Sequence, residues 1–327
     1  MVSVSDTAKL DFINCLNLED LEHKIFDIYE QIEREGFVII QAWDASKETF
    51  KGVAEFFGHI QNHPNADELG VIKVKPERKK KAEAYERFIS KTSGNFWPHT
   101  DGVYLDGFCV LNDQVVRVKP PTFVMLQCVR PAQEGGVSTL VDTQKIFEKL
   151  WVQSPELMKI AIQPRTISHC AEKHFSSYSP LFEQLSEGRW RVRLRTDLMY
   201  IEPWAYSSVK HVIENYLHNP KVRKLHLLKE GQILIVDNYR MLHGRNEITF
   251  DVDDINKSRL LHKAWIWDAS IDYLHSFRDV PPDPNSFKAF DMHHPLNINK
   301  PNKMPRPIKT GIYFQPKLEG LTYVQHQ

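Results

Sequence analysis

Long apolar runs, a charge imbalance and paired cysteines are all missing from this 327-residue chain. No stretch approaches the roughly 20 apolar residues that a membrane-spanning helix needs. The N-terminus carries no basic-then-apolar leader pattern. Forty-two Lys and Arg stand against forty-two Asp and Glu, so the formal net charge at pH 7 is zero. That balance argues against the broad positive field on which nucleic-acid or anionic-lipid binding rests. Only four cysteines occur, Cys15, Cys109, Cys128 and Cys170, and no two form a C-x-x-C pair. Scattered thiols suit a reducing cytoplasm better than a disulfide framework. No internal repeat or low-complexity tract is seen. The expectation is a soluble cytoplasmic protein with a small-molecule partner, without nucleic-acid or membrane partners, and with homo-oligomerisation left open.

What is present is a succession of short strands with turn signals and few helices. Leu18, Leu21, Ile25, Ile28 and Ile32 fall at helical spacing, which predicts one amphipathic helix over Leu18 to Ile32, stopped by Gly36. Phe37-Val38-Ile39-Ile40 reads as a buried strand. Lys47 to Phe57 reads as a second helix closed by Gly58. A strand pair is expected from His59–Gln61 and Gly70–Val74. Further strands are expected over Thr122–Cys128, up to Asp142, over Ile233–Asp237 and over Ser258–Trp267. Thr143 is positioned to cap a helix from Gln144 to Leu150, and Val209 to Leu217 predicts another helix. Arg78-Lys79-Lys80-Lys81 reads as a solvated charge run. Arg189, Arg191, Arg193 and Arg195 alternate with Trp190, Val192 and Leu194, giving a strand with a cationic face, some of it solvated and one or two Arg facing a pocket. After Asp268 the composition shifts to Pro, Asn and Lys. Residues 268–327 are therefore expected to extend along and wrap the core of a single domain, 1–327. The pattern is mainly β with flanking helices, a sandwich or barrel.

The chemistry gathers at Phe96-Trp97-Pro98-His99-Thr100-Asp101-Gly102-Val103-Tyr104. On a strand, His99 and Asp101 point the same way. A distant His completing the set gives two imidazoles and one carboxylate, the facial triad of non-haem Fe(II) oxygenases. His243, at the end of an apolar strand beside Gly244, is the candidate. A lone H-x-D also occurs by chance on surface loops, so two other classes stay open. A metal-dependent hydrolase needs a general base beside metal-bound water, and no Glu sits in such a motif. A non-catalytic, small-molecule-binding jelly roll has no need of all three ligands.

Several motifs then follow in one order: His99-Thr100-Asp101, Pro120-Pro121, Glu134-Gly135-Gly136 with Thr139-Leu140-Val141-Asp142, Asp237-Asn238-x-Arg240-x-Leu242-His243-Gly244-Arg245, and Arg259-Leu260-Leu261. Together they resemble the TauD/TfdA (taurine dioxygenase-like) family of Fe(II)/2-oxoglutarate-dependent oxygenases, over roughly Gly36 to Trp267. The resemblance implies a double-stranded β-helix, or jelly roll. It implies Fe(II) held by His99, Asp101 and His243, with 2-oxoglutarate and O2 as cosubstrates. It assigns Arg259 to the distal carboxylate of 2-oxoglutarate and Thr139 to a hydrogen bond with it. Thr139 stands one residue further from the Gly-Gly pair than in taurine dioxygenase, which leaves Ser138 as a stand-in.

The substrate side departs further. Lys263 occupies the place of a sulfonate-binding Arg, so a sulfonate substrate is not expected. His63 matches a substrate-side His, and Arg193, Arg195 and Tyr104 complete the candidate substrate set. Lys263 lies four residues after Arg259 and shares its face; it requires an anionic partner, either the substrate or a structural acid. Asp101 keeps the carboxylate that halogenases of this superfamily lack, which disfavours halogenation. The implied activity is oxidation of a C–H bond in a small carboxylate- or amino-acid-like molecule. Hydroxylation, desaturation, cyclisation and isonitrile formation all fit, in a natural-product pathway.

Overall fold

The computed structural model describes residues 10–61, 63, 65–76, 94–103, 107–111, 114–118, 120–171, 174–175, 179–186, 188–249, 258–268 and 312–313. The framing elements are β1 (Ile13–Asn14), α1 (Leu18–His23), α2 (Ile25–Glu35), β2 (Phe37–Gln41), α3 (Lys47–Glu55), β3 (His59–Ile60), β4 (Ile72–Val74) and β5 (Phe96–His99). They continue with β6 (Phe123–Arg130), β7 (Ser138–Asp142), α4 (Thr143–Gln153), α5 (Pro155–Ala161), α6 (Tyr206–Val212), β8 (Lys224–His226), β9 (Gln232–Asp237), β10 (Met241–Arg245) and β11 (Leu260–Trp267).

Two sheets face each other. The larger, seven-stranded, runs β1-β2-β9-β6-β11-β3, with β4 also paired to β11. The smaller runs β8-β7-β10-β5. Alternation along each strand divides the core. Val38 and Ile40, Ile233 and Ile235, Phe123 and Met125 pack beneath α1, α2 and α3. Phe37 and Ile39, Leu234 and Val236, Leu126 and Cys128 face inward, where they meet Leu140 and Met241 of the smaller sheet. The other face of that sheet, Val141 and Leu242, packs on α4, α5 and α6. Strands buried on both faces read as unbroken apolar runs, which is why Phe37–Ile40 and Ile233–Val236 show no alternation in sequence. Cys15 and Cys128 are free, buried thiols. Among the described residues no helix is long and apolar enough to cross a membrane.

Several elements differ from their sequence expectation. The helix expected over Leu18–Ile32 is two helices that break at Lys24, whose backbone (φ −97°, ψ 2°) leaves the helical region. Its ammonium donates to Asn14 O and to Asp20, each at 2.8 Å, and pins the break. Gly36 does end α2, at φ 79°, and a Cβ there would lie 2.5 Å from the Met241 sulfur. The two strands expected to pair with each other, β3 and β4, each pair with β11 instead. Thr143 is the first residue of α4 rather than its cap; Asp142 caps it, accepting from Lys145 N. The helix expected at Val209 begins at Tyr206 and ends in a π-type turn, Ile213–Leu217. The Arg-rich strand stops at Val192; Arg189 is exposed, whereas Arg191 and Arg193 are fully buried. Beyond Asp268 the described residues are Ile312–Tyr313, which pair antiparallel with Met199–Ile201. The rest of the expected wrapping segment, and Arg78–Lys81, lie outside the described residues.

Candidate metal centre

The pairing of β5 with β10 sets the centre. His99 and His243 are direct cross-strand partners, with ring centroids 4.5 Å apart. The pairing can form because residue 244 is glycine: a Cβ there would lie 2.5 Å from Phe96 O and 2.8 Å from Pro98 N. Asp101 is not on the strand, as the alternation argument assumed, but in the turn just after it. Its backbone is fixed from outside. Asp101 N donates to Asn238 Oδ1 at 2.8 Å, while Asn238 Nδ2 donates to Asp101 O at 3.0 Å and Pro121 O at 2.9 Å.

The result is a compact donor set. His99 Nε2 lies 3.5 Å from Asp101 Oδ1, and His243 Nε2 lies 3.4 Å from Asp101 Oδ2. One ligand atom from each residue falls within 4.8 Å of the others, and all three residues are buried. His99 Nδ1 sits 2.9 Å from Trp97 O. A carbonyl only accepts, so Nδ1 carries the proton and Nε2 keeps its lone pair for the centre. Burial, then the neighbouring His243, pushes the His99 imidazole down to about 3, so it is neutral at physiological pH. Burial alone would raise Asp101, but the Lys263 ammonium beside it holds its carboxyl well below the usual range.

The two carboxylate oxygens have different neighbours. Oδ2 forms an ion pair with the Lys263 ammonium and accepts from Trp265 Nε1 at 3.0 Å. Among the described residues Oδ1 has no hydrogen-bond partner, and neither does His99 Nε2, although both are buried. Buried polar atoms are normally satisfied. Two imidazoles and one carboxylate with open donor atoms fit Fe(II) by ligand type.

A second feature lies nearby. Arg259, just before β11, is 7% exposed and makes no ion pair or hydrogen bond among the described residues. Burial lowers its guanidinium to about 10. It lies against Gly136, where a Cβ would come within 3.3 Å of its Nε. Arg245 is close enough to be lowered to about 9, by burial and then by Arg259; its Nη1 donates to Gly94 O at 2.6 Å and Asn246 O at 3.1 Å. The β7–β10 register sets Ser138 opposite Arg245 and Leu140 opposite His243, with Thr139 opposite Gly244. Leu140 belongs to the inner core, so Ser138 shares the inner face and Thr139 takes the other. Thr139 Oγ1 is buried without a hydrogen-bond partner among the described residues.

The substrate candidates are spread around this centre. The acid beside Lys263 is Asp101, from another strand's turn. The His63 ring meets Trp265 edge-on at 4.6 Å. Arg195 lies 3.8 Å from Asp101 Oδ1, pairs with Asp197 at 3.1 Å and sits over the Phe96 ring. Arg193 is deeper, 3.4 Å from Glu183, which also pairs with Arg191. Tyr104 lies outside the described residues. Asn238 and Trp265 had no role assigned from sequence. The signal for both was available: Asn238 lies inside the Asp237-Asn238-x-Arg240 motif, and Trp265 is two residues from Lys263, on its face.

The chain is similar to known proteins. The pattern described as "Taurine catabolism dioxygenase TauD, TfdA family" matches residues 13–265. A uridine-5′-phosphate dioxygenase of Streptomyces sp is 28% identical over 178 residues, 51% of this chain and 59% of that protein. A 3-((Z)-2-isocyanoethenyl)-1H-indole synthase of Fischerella ambigua (strain UTEX 1903) is 26% identical over 174 residues, 47% of this chain and 59% of that protein. The aligned part thus spans about three fifths of these relatives. Among solved structures, an asparagine oxygenase holding Fe(II), 3-hydroxyasparagine and succinate superposes with a TM-score of 0.59 at 14% identity, covering 76% of this chain and 80% of that one. The non-haem iron oxygenase OrfP, with Fe and α-ketoglutaric acid, gives 0.56 at 13% identity, covering 77% and 81%. These likenesses show the fold to be a jelly roll of the same kind.

Proposed function

The chain belongs to the taurine catabolism dioxygenase TauD/TfdA family, and from that membership we propose that it is an Fe(II)- and 2-oxoglutarate-dependent dioxygenase. It oxidises a C–H bond of a small carboxylate- or amino-acid-like molecule, in one catalytic domain, in the cytoplasm, within a natural-product pathway. The observation that carries this reading is a buried His99–Asp101–His243 set with open donor atoms beside a buried Arg259 that has no counter-ion among the described residues. A metal-dependent hydrolase would leave Arg259 without a task.

In this reading His99, Asp101 and His243 hold the iron. Arg259 receives the distal carboxylate of 2-oxoglutarate, since a guanidinium fork matches a carboxylate and a buried cation requires an anion. Either Ser138 or Thr139 adds a hydroxyl; Ser138 shares the face of Arg245, and Thr139 has the open oxygen. Iron with 2-oxoglutarate and O2 supplies the oxidant that removes hydrogen from the substrate C–H bond. Lys263 and Trp265 hold Asp101 Oδ2, which leaves Oδ1 for the metal. With a metal held at Oδ1, the Lys263 ammonium would keep its place on Oδ2 and present its remaining N–H groups to an anionic substrate group. His63, Arg193, Arg195 and Tyr104 complete the substrate surroundings.

The test is succinate release from 2-oxoglutarate with Fe(II) and O2, stimulated by a panel of small acids and amino-acid derivatives. Activity with Zn(II) alone and no succinate would favour hydrolysis instead. For Lys263 the expected result is specific. Lys263→Met should raise the substrate concentration needed for stimulation by roughly tenfold or more, with the 2-oxoglutarate requirement unmoved. An unchanged substrate requirement leaves Lys263 as a structural partner of Asp101.

A further inference from the structure

Gln61 is fully buried, yet neither its Oε1 nor its Nε2 has a hydrogen-bond partner among the described residues. Other buried amides are committed. Asn238 holds Asp101 and Pro121. Gln127 donates to Asp44 O at 3.1 Å and meets His262 at 3.0 Å. Gln232 accepts from Lys229 N at 2.9 Å and meets His226 at 3.1 Å. Gln61 alone in this group spends nothing, and an unspent buried amide costs stability.

Its position suggests why it is kept. One residue past β3, Gln61 N still donates to Trp265 O at 2.7 Å. Ile60 pairs with Ile266, and both pack beneath the helices. Side chains alternate along an extended chain, so Gln61 turns to the opposite face. That face of β11 carries Trp265 and Lys263, which together hold Asp101 Oδ2. His63 reaches the same indole. An amide with donor and acceptor both unpaired among the described residues therefore shares the face of β11 that carries Lys263 and Trp265.

We propose that Gln61 is a substrate-binding residue, and that the substrate presents an amide edge to it. A carboxamide offers a C=O acceptor and an N–H donor side by side. A carboxylate would satisfy only the N–H, and an ammonium only the C=O. A partner with its own N–H and C=O side by side satisfies both at once. A primary carboxamide and a cyclic imide such as uracil both have that edge. The proposal rests on the oxygenase reading and narrows its substrate class.

Gln61→Met removes both polar atoms at similar length. The melting temperature of the protein without ligands should rise by about 2 °C, because nothing inside the fold was satisfying the amide. With Fe(II) and 2-oxoglutarate, two probes separate the sources of the edge: L-asparagine for a carboxamide, uridine 5′-monophosphate for an imide. One of them should stimulate succinate release by the wild-type protein, and that stimulation should fall by roughly tenfold or more in Gln61→Met. A lower melting temperature, failure of the variant to fold, undiminished stimulation, or no response of the wild type to either probe overturns the proposal. The melting comparison requires no turnover. A wild-type protein that makes no succinate at all counts against the oxygenase reading, and the melting comparison still decides whether the amide is unpaired.

Discussion

Asp101→Ala should give a protein that has lost 2-oxoglutarate turnover and most of its affinity for Fe(II), with Mn(II) as the air-stable substitute in the titration. Changing partners that merely orient a metal ligand costs about 10–100-fold in affinity, so removing the charged ligand itself should cost roughly a hundredfold or more. The same change strands the Lys263 ammonium, 15% exposed and paired with Asp101. Breaking a buried pair from one side costs about 3 kcal/mol, so the unfolding midpoint of the metal-free variant should fall as well. A double change of Asp101 and Lys263 to apolar residues should recover part of that stability but none of the metal binding. Metal affinity equal to wild type in Asp101→Ala would remove the proposed centre.

Arg259→Ala is expected to separate cosubstrate binding from metal binding. The 2-oxoglutarate concentration for half-maximal succinate formation should rise by roughly tenfold or more, as when one partner of a buried charge pair is lost. Mn(II) affinity should stay at the wild-type level, because Arg259 touches none of the three ligands. Nor does a broken ion pair accompany the change: among the described residues Arg259 makes none. An unchanged 2-oxoglutarate requirement would show that another cation does this work, and Arg245, close behind it, is the first to examine.

The three residues of the candidate centre stood out in the sequence through spacing and order, but the physical ground for bringing them together is partly different. Alternation on a strand was the argument for His99 and Asp101, yet β5 ends at His99. What brings the carboxylate round is the turn and the double grip of Asn238 on its backbone. That grip joins residues 137 positions apart, and no local pattern reports such a contact. The buried strands were legible because unbroken apolar runs such as Ile233–Val236 are their signature. The break at Lys24 was not, because hydrophobic spacing continues across it while the Lys24 ammonium is tied to Asn14 O and Asp20. The partner of Lys263 had to come from elsewhere in the chain, and it came from the centre itself. The open amide of Gln61 could not be seen at all before packing, since a buried glutamine reads like an exposed one.

The donor set comes from the smaller sheet and the turn after β5, while its carboxylate is held from the larger sheet, and this has a thermodynamic consequence. His99 and His243 belong to β5 and β10 of the smaller sheet, whereas the Asp101 carboxylate is held by Lys263 and Trp265 on β11 of the larger. A metal ion bound here would require His99, Asp101 and His243 to keep their folded places, and would be released on unfolding. Its binding energy is then added to the unfolding free energy, about 2.7 kcal/mol when free metal stands at a hundred times its dissociation constant. The resistance of the jelly roll to heat and denaturant should therefore depend on metal supply, and a chelator should lower it without touching a single residue.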